Sequence, residues 1–419
     1  METVIEYAAV GLLVLTILAV SAHMMRVPTS TLETVREEQL YTVAERVMDK
    51  ILLTPGSPPD WGTNIAVNAS NLQDFGLALA GSREPYRVDP DKVMRLANLS
   101  TLPNPLLLNS SRLAELLGIR EYGFRLRIVL LLTVKIAPTG YYSYQQLTFA
   151  SRFRVRVENP QGLGIPNANV TGMYVVVRVQ PGASEGYVEA KAIFTRSSTT
   201  DALGECELDF TPDLQAYFSD PRNRPDKWYF SFLIVRADWR GFVSVAGYAT
   251  NYRGDAPAEG YIIGNYVFVD RNIGPTPIKK GNRVSGAVHV KDDLLQAVPE
   301  YQELLNFTTV VWCRDSTGNF RNDDPLCNNA GRVLPSAVKW YLVGYIRYVE
   351  PLASHVFIFA TFRGNPVAIV VSRVPSIDIA YGPKGAAPAN AVRVTRMCTV
   401  YNYPFLVELT IWRWVEGYP

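Results

Sequence analysis

The chain opens on an apolar run: from Tyr7 to Met25 there is no aspartate, glutamate, lysine or arginine in nineteen residues. As a helix this run spans about 28 Å, close to the thickness of a bilayer core. The pattern then acquires two faces. In "VPTSTLETVREEQLYTVAERVMDKILLTPGSPPDWG", Leu40, Val43, Ala44, Val47 and Ile51 recur at three- and four-residue steps, with Glu37, Glu38, Glu45, Arg46, Asp49 and Lys50 available for the wet side. This predicts an amphipathic helix, with the capping-box spacing Ser30 to Glu33 near its start and Pro55-Gly56 and Pro58-Pro59 at its end. Pro28 cannot donate to the carbonyl four residues earlier, so a kink or a break is expected between the two helices.

Residues 60–120 read as mixed, with short helices at "DPDKVMRLAN" and "SSRLAELLGI" and Asp89 or Asp91 as a cap for the first. From Tyr122 the period shortens. "YGFRLRIVLLLTVKIA" and "QLTFASRFRVRVEN" predict a long hairpin turned by "APTGYYSY". "VTGMYVVVRVQ", "YVEAKAIFT", "GECELDF", "WYFSFLIVRAD" and "GFVSVAGYAT" predict an antiparallel sandwich. After "RGDAPAEG" come "VKWYLVGYIRYV", "SHVFIFATF", "PVAIVVSRV" and a closing pair folded about Asn402-Tyr403-Pro404.

Composition narrows the class. The chain has 419 residues, long enough for two or three domains, and a net charge of only +2, so nothing argues for nucleic acid, which calls for a basic face. Val20-Ser21-Ala22 would suit a signal peptidase, but Glu2 and Glu6 stand where a secretory signal carries positive charge, so retention of the segment is expected. Cys206, Cys313, Cys327 and Cys398 form no C-x-x-C pair. Outside the cell they predict two disulfides, Cys313–Cys327 and Cys206–Cys398, against the alternative of four buried thiols. Sequons at Asn68, Asn98, Asn109, Asn169 and Asn306 are candidates for N-glycosylation and agree with an exterior location.

Catalytic chemistry has little support. There is no G-x-S-x-G and no phosphate-cradling P-loop, and His23, His289 and His355 are far apart in sequence. The last two read as ordinary strand histidines. "RNDDPLCNN" lacks Ca²⁺-loop spacing and reads as a solvated loop, and the tyrosines of "TGYYSY" read as dressing on a hairpin end. No catalytic residue, cofactor or metal site is assigned, and the expectation is a protein that is not an enzyme.

"YAAVGLLVLTILAVSA", "AERVMDKILLTPGSPPDWG", "FGLALAGSREPYRVDPDKVMRL" and the ending "FLVELTIWRW" resemble recurrent elements of archaeal type IV pilin-like surface proteins. The resemblance implies a filament whose core is made by the apolar helices of many subunits, with β-heads outside. The family carries a short basic leader before the apolar helix and the residues before Tyr7 show none, so the expectation is a numbering that starts at the processed end or a subunit that is unprocessed. "FRVRVENPQGLGIPNANVTG", "SSTTDALGECELDF" and "YFSFLIVRADWRG" resemble the carboxypeptidase regulatory-like, transthyretin-like β-sandwich, whose two turn motifs match Gly162 to Val170 and Thr200 to Gly204.

The expected class is therefore α+β: a long N-terminal apolar/amphipathic α-helix followed by a mostly antiparallel β head with Ig-like/transthyretin-like sandwich domains. The expected division is 1–27 (membrane or filament-core helix), 28–56 (amphipathic helix), 57–150 (mixed start of the head), 151–252 (sandwich, read as an insertion) and 253–419 (second β-rich head domain). The residues expected in the filament core or membrane are Tyr7, Ala8, Ala9, Gly11, Leu12, Leu13, Leu15, Ile17, Leu18 and Ala22. Expected partners are further copies of the chain in a helical filament, the membrane before assembly, and surface glycans. The leading function is a structural subunit of an extracellular adhesive filament. The alternatives are a minor pilin or a monomeric membrane-anchored surface protein with a ligand-binding sandwich, and, more remotely, a secreted enzyme.

Overall fold

A computed structural model describes residues 2–99, 106–180, 187–226, 228–270, 285–290, 305–313, 327–328, 341–350, 353–362, 365–382, 387–388 and 390–413. Helix α1 (Glu2–Leu53) is one element that continues through Pro28, where two were expected. Helices α2 (Pro90–Leu96) and α3 (Ser110–Leu117) stand where the sequence places them. Asp89 caps α2 by accepting from the Asp91 and Lys92 amides, and Asn109 caps α3 through the Arg112 amide.

Helices α1 and α3 rest on a five-stranded platform ordered β1 (Arg87–Val88), β18 (Val392–Val400), β19 (Tyr403–Arg413), β2 (Tyr122–Leu130) and β17 (Ile377–Tyr381). Alternation along the strands separates its faces. Phe124, Leu126, Ile128, Phe405, Val407, Leu409 and Ile411 are buried in the core that includes α1. On the other face, Arg127 pairs with Glu408 at 3.0 Å and Arg125 with Asp378 at 2.5 Å.

β2 and β17 are hydrogen-bonded neighbours, yet the chain between Leu130 and Ile377 builds two further β units. The first is a sandwich. Its three-stranded sheet, β3 (Thr133–Tyr144), β4 (Leu147–Glu158) and β7 (Glu205–Asp209), packs on a four-stranded sheet ordered β6 (Tyr187–Thr199), β5 (Asn169–Gln180), β8 (Tyr229–Trp239) and β9 (Phe242–Asn251). Phe149, Phe153, Tyr174, Phe210 and Leu233 fill the space between them. The second unit is a closed barrel of β10 (Ala258–Ile263), β11 (Tyr266–Asp270), β14 (Tyr341–Ile346), β13 (Leu305–Trp312), β12 (Ser285–Val290), β15 (His355–Phe362) and β16 (Asn365–Ser372). The parallel pairing of β10 with β16 closes it.

The apolar runs of β5 and β8 are explained by burial on both faces. Tyr174, Val176, Leu233 and Val235 enter the sandwich core. Met173, Val175, Phe230, Phe232 and Ile234 turn the other way and join the core shared with the barrel, where Phe232 stacks on Phe357 at 4.5 Å and Phe230 meets Phe359 at 5.1 Å. The two turn motifs of the sandwich meet at buried Thr200: its hydroxyl donates to the Ile165 carbonyl at 2.7 Å and accepts from the Ala168 amide at 2.8 Å.

Several expectations are corrected. Among the described residues strand far outweighs helix, so the class is mostly β, with sheets and not an apolar helix organising the fold. The expected hairpin from Tyr122 splits: β2 joins the platform, and only β3 pairs with β4. The sandwich thus starts at Thr133, before the expected 151. Helix α4 (Thr211–Ser219) was not expected; its Phe218 stacks against Tyr142, Tyr144 and Phe149. Among the described residues, no helix is long and apolar enough to cross a membrane, so the transmembrane expectation has no support.

Candidate assembly site

Helix α1 has two different halves. Leu40, Ala44, Val47, Met48, Ile51 and Leu52 are buried against the head, and α1 packs on β18 and β19. At the same level Arg396 on β18 donates to Glu45 at 2.7 Å. That hydrogen bond, helped by one from Tyr41, holds the Glu45 carboxyl below its usual range. The other half is bare. Val10, Leu12, Leu13, Val14, Leu15, Ile17, Leu18 and Val20 are each about half to 71% exposed. Around a 3.6-residue turn these eight side chains point in every direction. Thr16 turns its hydroxyl back to the Leu12 carbonyl at 2.7 Å, so even the polar residue in this run is satisfied within the helix.

Of the residues expected in the core helix, Gly11, Leu12, Leu13, Leu15, Ile17, Leu18 and Ala22 share this exposed stretch. The side chains of Tyr7, Ala8 and Ala9 lie outside the described residues.

The cysteines divide. Cys313 and Cys327 form a disulfide across a separation of 14 residues, which fits an oxidising, extracellular environment. The expected Cys206–Cys398 bridge is absent: Cys206 on β7 and Cys398 on β18 are free, held in different sheets. Burial pushes both thiols up, Cys398 to about 12. Asn98, Asn109 and Asn169 are exposed and Asn68 is half-buried, while the Asn306 side chain lies outside the described residues.

The candidates for chemistry remain dispersed. Among the described residues there is no group of three or more His, Cys, Asp or Glu able to hold a metal. The side chains of His23 and His289 and most of "RNDDPLCNN" lie outside the described residues. His355 is buried at the start of β15. Of the tyrosine cluster, Tyr142 and Tyr144 pack on Phe218, leaving Tyr141 exposed.

Buried cations organise the irregular segment between α1 and α2, a role that sequence reading missed. Lys92 donates to the Pro55 and Ala78 carbonyls, both at 2.8 Å. Arg95 donates to Trp61 at 2.6 Å, to Asn64 at 2.8 Å and to Val67. Burial lowers the pKa of both groups, Arg95 to about 10. The signal available in the sequence was a Lys and an Arg three positions apart, flanked by the apolar residues of a short helix.

No known family profile and no curated protein matches the chain. Among solved structures, a transglutaminase from red sea bream is similar at 11% identity and a TM-score of 0.18, over 66% of this chain and 34% of that one. This chain therefore spans about a third of that protein's length, and so faint a likeness carries no argument.

Proposed function

We propose that the protein is a structural subunit of an extracellular pilus-like filament, in which the Val10–Val20 stretch of α1 packs against the same stretch of other copies while the β units face outward. The observation that carries this reading is the all-round exposure of that stretch on a helix whose other end is anchored in the head. A helix that is apolar on every side needs cover on every side. A ring of like helices gives such cover, and Gly11, Ala19, Ser21 and Ala22 let helices approach closely. With no charge between Tyr7 and Met25, parallel copies do not repel one another there. Each covered aliphatic side chain contributes on the order of 1.5–3 kcal/mol. The Cys313–Cys327 disulfide supports the extracellular placement.

The test is electron microscopy of the full chain beside a chain lacking residues 1–27 and beside Leu15→Lys. Filaments are expected from the first and separate, folded heads from the other two. Filaments of unchanged diameter from the truncated chain would place the contacts between heads and refute the reading.

A further inference from the structure

Two sequons that are far apart in sequence, at Asn68 and Asn109, are brought together by Arg112. This arginine, on α3, donates through Nε to the Ala69 carbonyl at 3.1 Å and through a terminal nitrogen to the Leu72 carbonyl at 2.9 Å. The turn that holds Asn68 is thereby tied to the start of α3, where Asn109 is the cap. Asn109 and the two sequon serines, Ser70 and Ser111, are exposed, and Asn68 is half-buried.

Both amides are used in the same way. Asn68 Oδ1 accepts from the Ser70 amide at 2.8 Å, so the turn is closed by the last residue of its own sequon. Asn109 Oδ1 accepts from the Arg112 amide at 2.8 Å. Among the described residues neither Nδ2 has a hydrogen-bond partner. Several asparagines outside sequons spend that nitrogen: Asn64 donates to Asp60 at 3.1 Å, Asn71 to the Ala66 carbonyl at 2.8 Å and Asn265 to the Ile346 carbonyl at 2.9 Å. Asn169 is placed differently. Its strand, β5, is paired on both sides, with Thr199 on β6 and Asp238 on β8 opposite Asn169, and the Thr171 hydroxyl of its sequon lies 3.1 Å from Ser197 Oγ.

We propose that Asn68 and Asn109 carry a pair of N-linked glycans, attached at Nδ2, on the face where the irregular segment meets α3, and that Asn169 stays bare. The donor is a sugar activated by phosphate or pyrophosphate at its anomeric carbon and delivered by a separate transferase. Nδ2 bonds to the anomeric carbon, and the carbon–oxygen bond to the phosphate breaks with its electron pair leaving on the phosphate. One Nδ2 proton passes to a base of the transferase. Oδ1 is not consumed, so the Asn68 turn and the α3 cap survive the modification. The pair rests on the extracellular placement of the chain, and it leaves the assembly stretch clear. Lys50 on α1 donates to the Leu116 carbonyl of α3 at 2.9 Å, and Lys50 stands about 45 Å along the helix from Val20.

The test maps glycopeptides of the full chain, purified from the surface of its own cells, by electron-transfer mass spectrometry. It is read on single chains, so its outcome is separate from that of the filament test. Sugar is expected on Asn68 and on Asn109, with Asn169 bare. Ser70→Ala and Ser111→Ala should each remove the mass of one glycan. Asn109→Asp should lose the same glycan as Ser111→Ala while its carboxylate keeps the cap, which separates loss of sugar from loss of fold. A bare Asn68 or Asn109, sugar on Asn169, or a glycan at Asn109 that survives Ser111→Ala would overturn the proposal.

Discussion

Arg396 on β18 and Glu45 on α1 meet at 2.7 Å across 351 residues of sequence, joining the last hairpin of the chain to its first helix. Both side chains are partly exposed, and exposed ion pairs contribute little because water screens them. The fully buried Met48 and Ile51 beside them are the stronger anchor. In urea denaturation, Met48→Ala is expected to cost about 2–5 kcal/mol, whereas Glu45→Gln should barely move the midpoint. A larger loss from Glu45→Gln would show that the ion pair holds the helix to the head.

Arg95→Met keeps much of the side-chain volume but removes the donors to the carbonyls of Trp61, Asn64 and Val67. Leaving those acceptors without partners is expected to cost about 3–5 kcal/mol and to open residues 55–79 to limited proteolysis. A variant as resistant as the unaltered chain would mean that the segment is held by Trp61 and Phe75 packing instead.

His355 makes stability depend on pH. Its folded value lies at about 4, below the unfolded value of about 6.5. As pH falls below the unfolded value, the unfolded chain takes up a proton that the folded chain refuses. Stability therefore drops between about pH 6.5 and 4, by at most about 3 kcal/mol, and this contribution changes no further at lower pH. Tyr248, Glu259 and Tyr403 are ionisable neighbours of this region, so Glu259→Gln serves as the control. Subtracting the profile of His355→Phe from that of the unaltered chain should isolate the drop, and a flat difference would contradict it.

Thiol counting tests the bridge pattern. Without reductant, the denatured chain is expected to show two reactive thiols, Cys206 and Cys398. In the folded chain Cys206 should react slowly and Cys398 not at all, because burial disfavours both thiolates. Four thiols would remove the Cys313–Cys327 disulfide, and none would restore the second bridge.

Local pattern located many elements, though not α4. The three- and four-residue spacing from Leu40 to Ile51 identified the buried face of α1, and the turn at Asn402 identified the closing hairpin. The cap of α2 was legible as Asp89 or Asp91, and the Thr200 turn through its resemblance to a known motif, because caps and turns are set by residues adjacent in sequence. Partnership was not. The run from Tyr122 reads as one strand because β2 and β3 share the same period, and only the sheets they join divide it near Leu131. The apolar runs of β5 and β8 were read only as sandwich strands, and their second buried face was not read, because its partner, the barrel, is made from residues far along the chain. Cys206 and Cys398 could be paired on paper because sequence carries no distance; the sheets hold them apart. The apolar character of the Val10–Val20 stretch of α1 was determined by sequence alone, since no charged residue interrupts it. The exposure of that stretch, and the burial of His355, were decided by tertiary structure, because burial depends on which surfaces long-range pairing brings together.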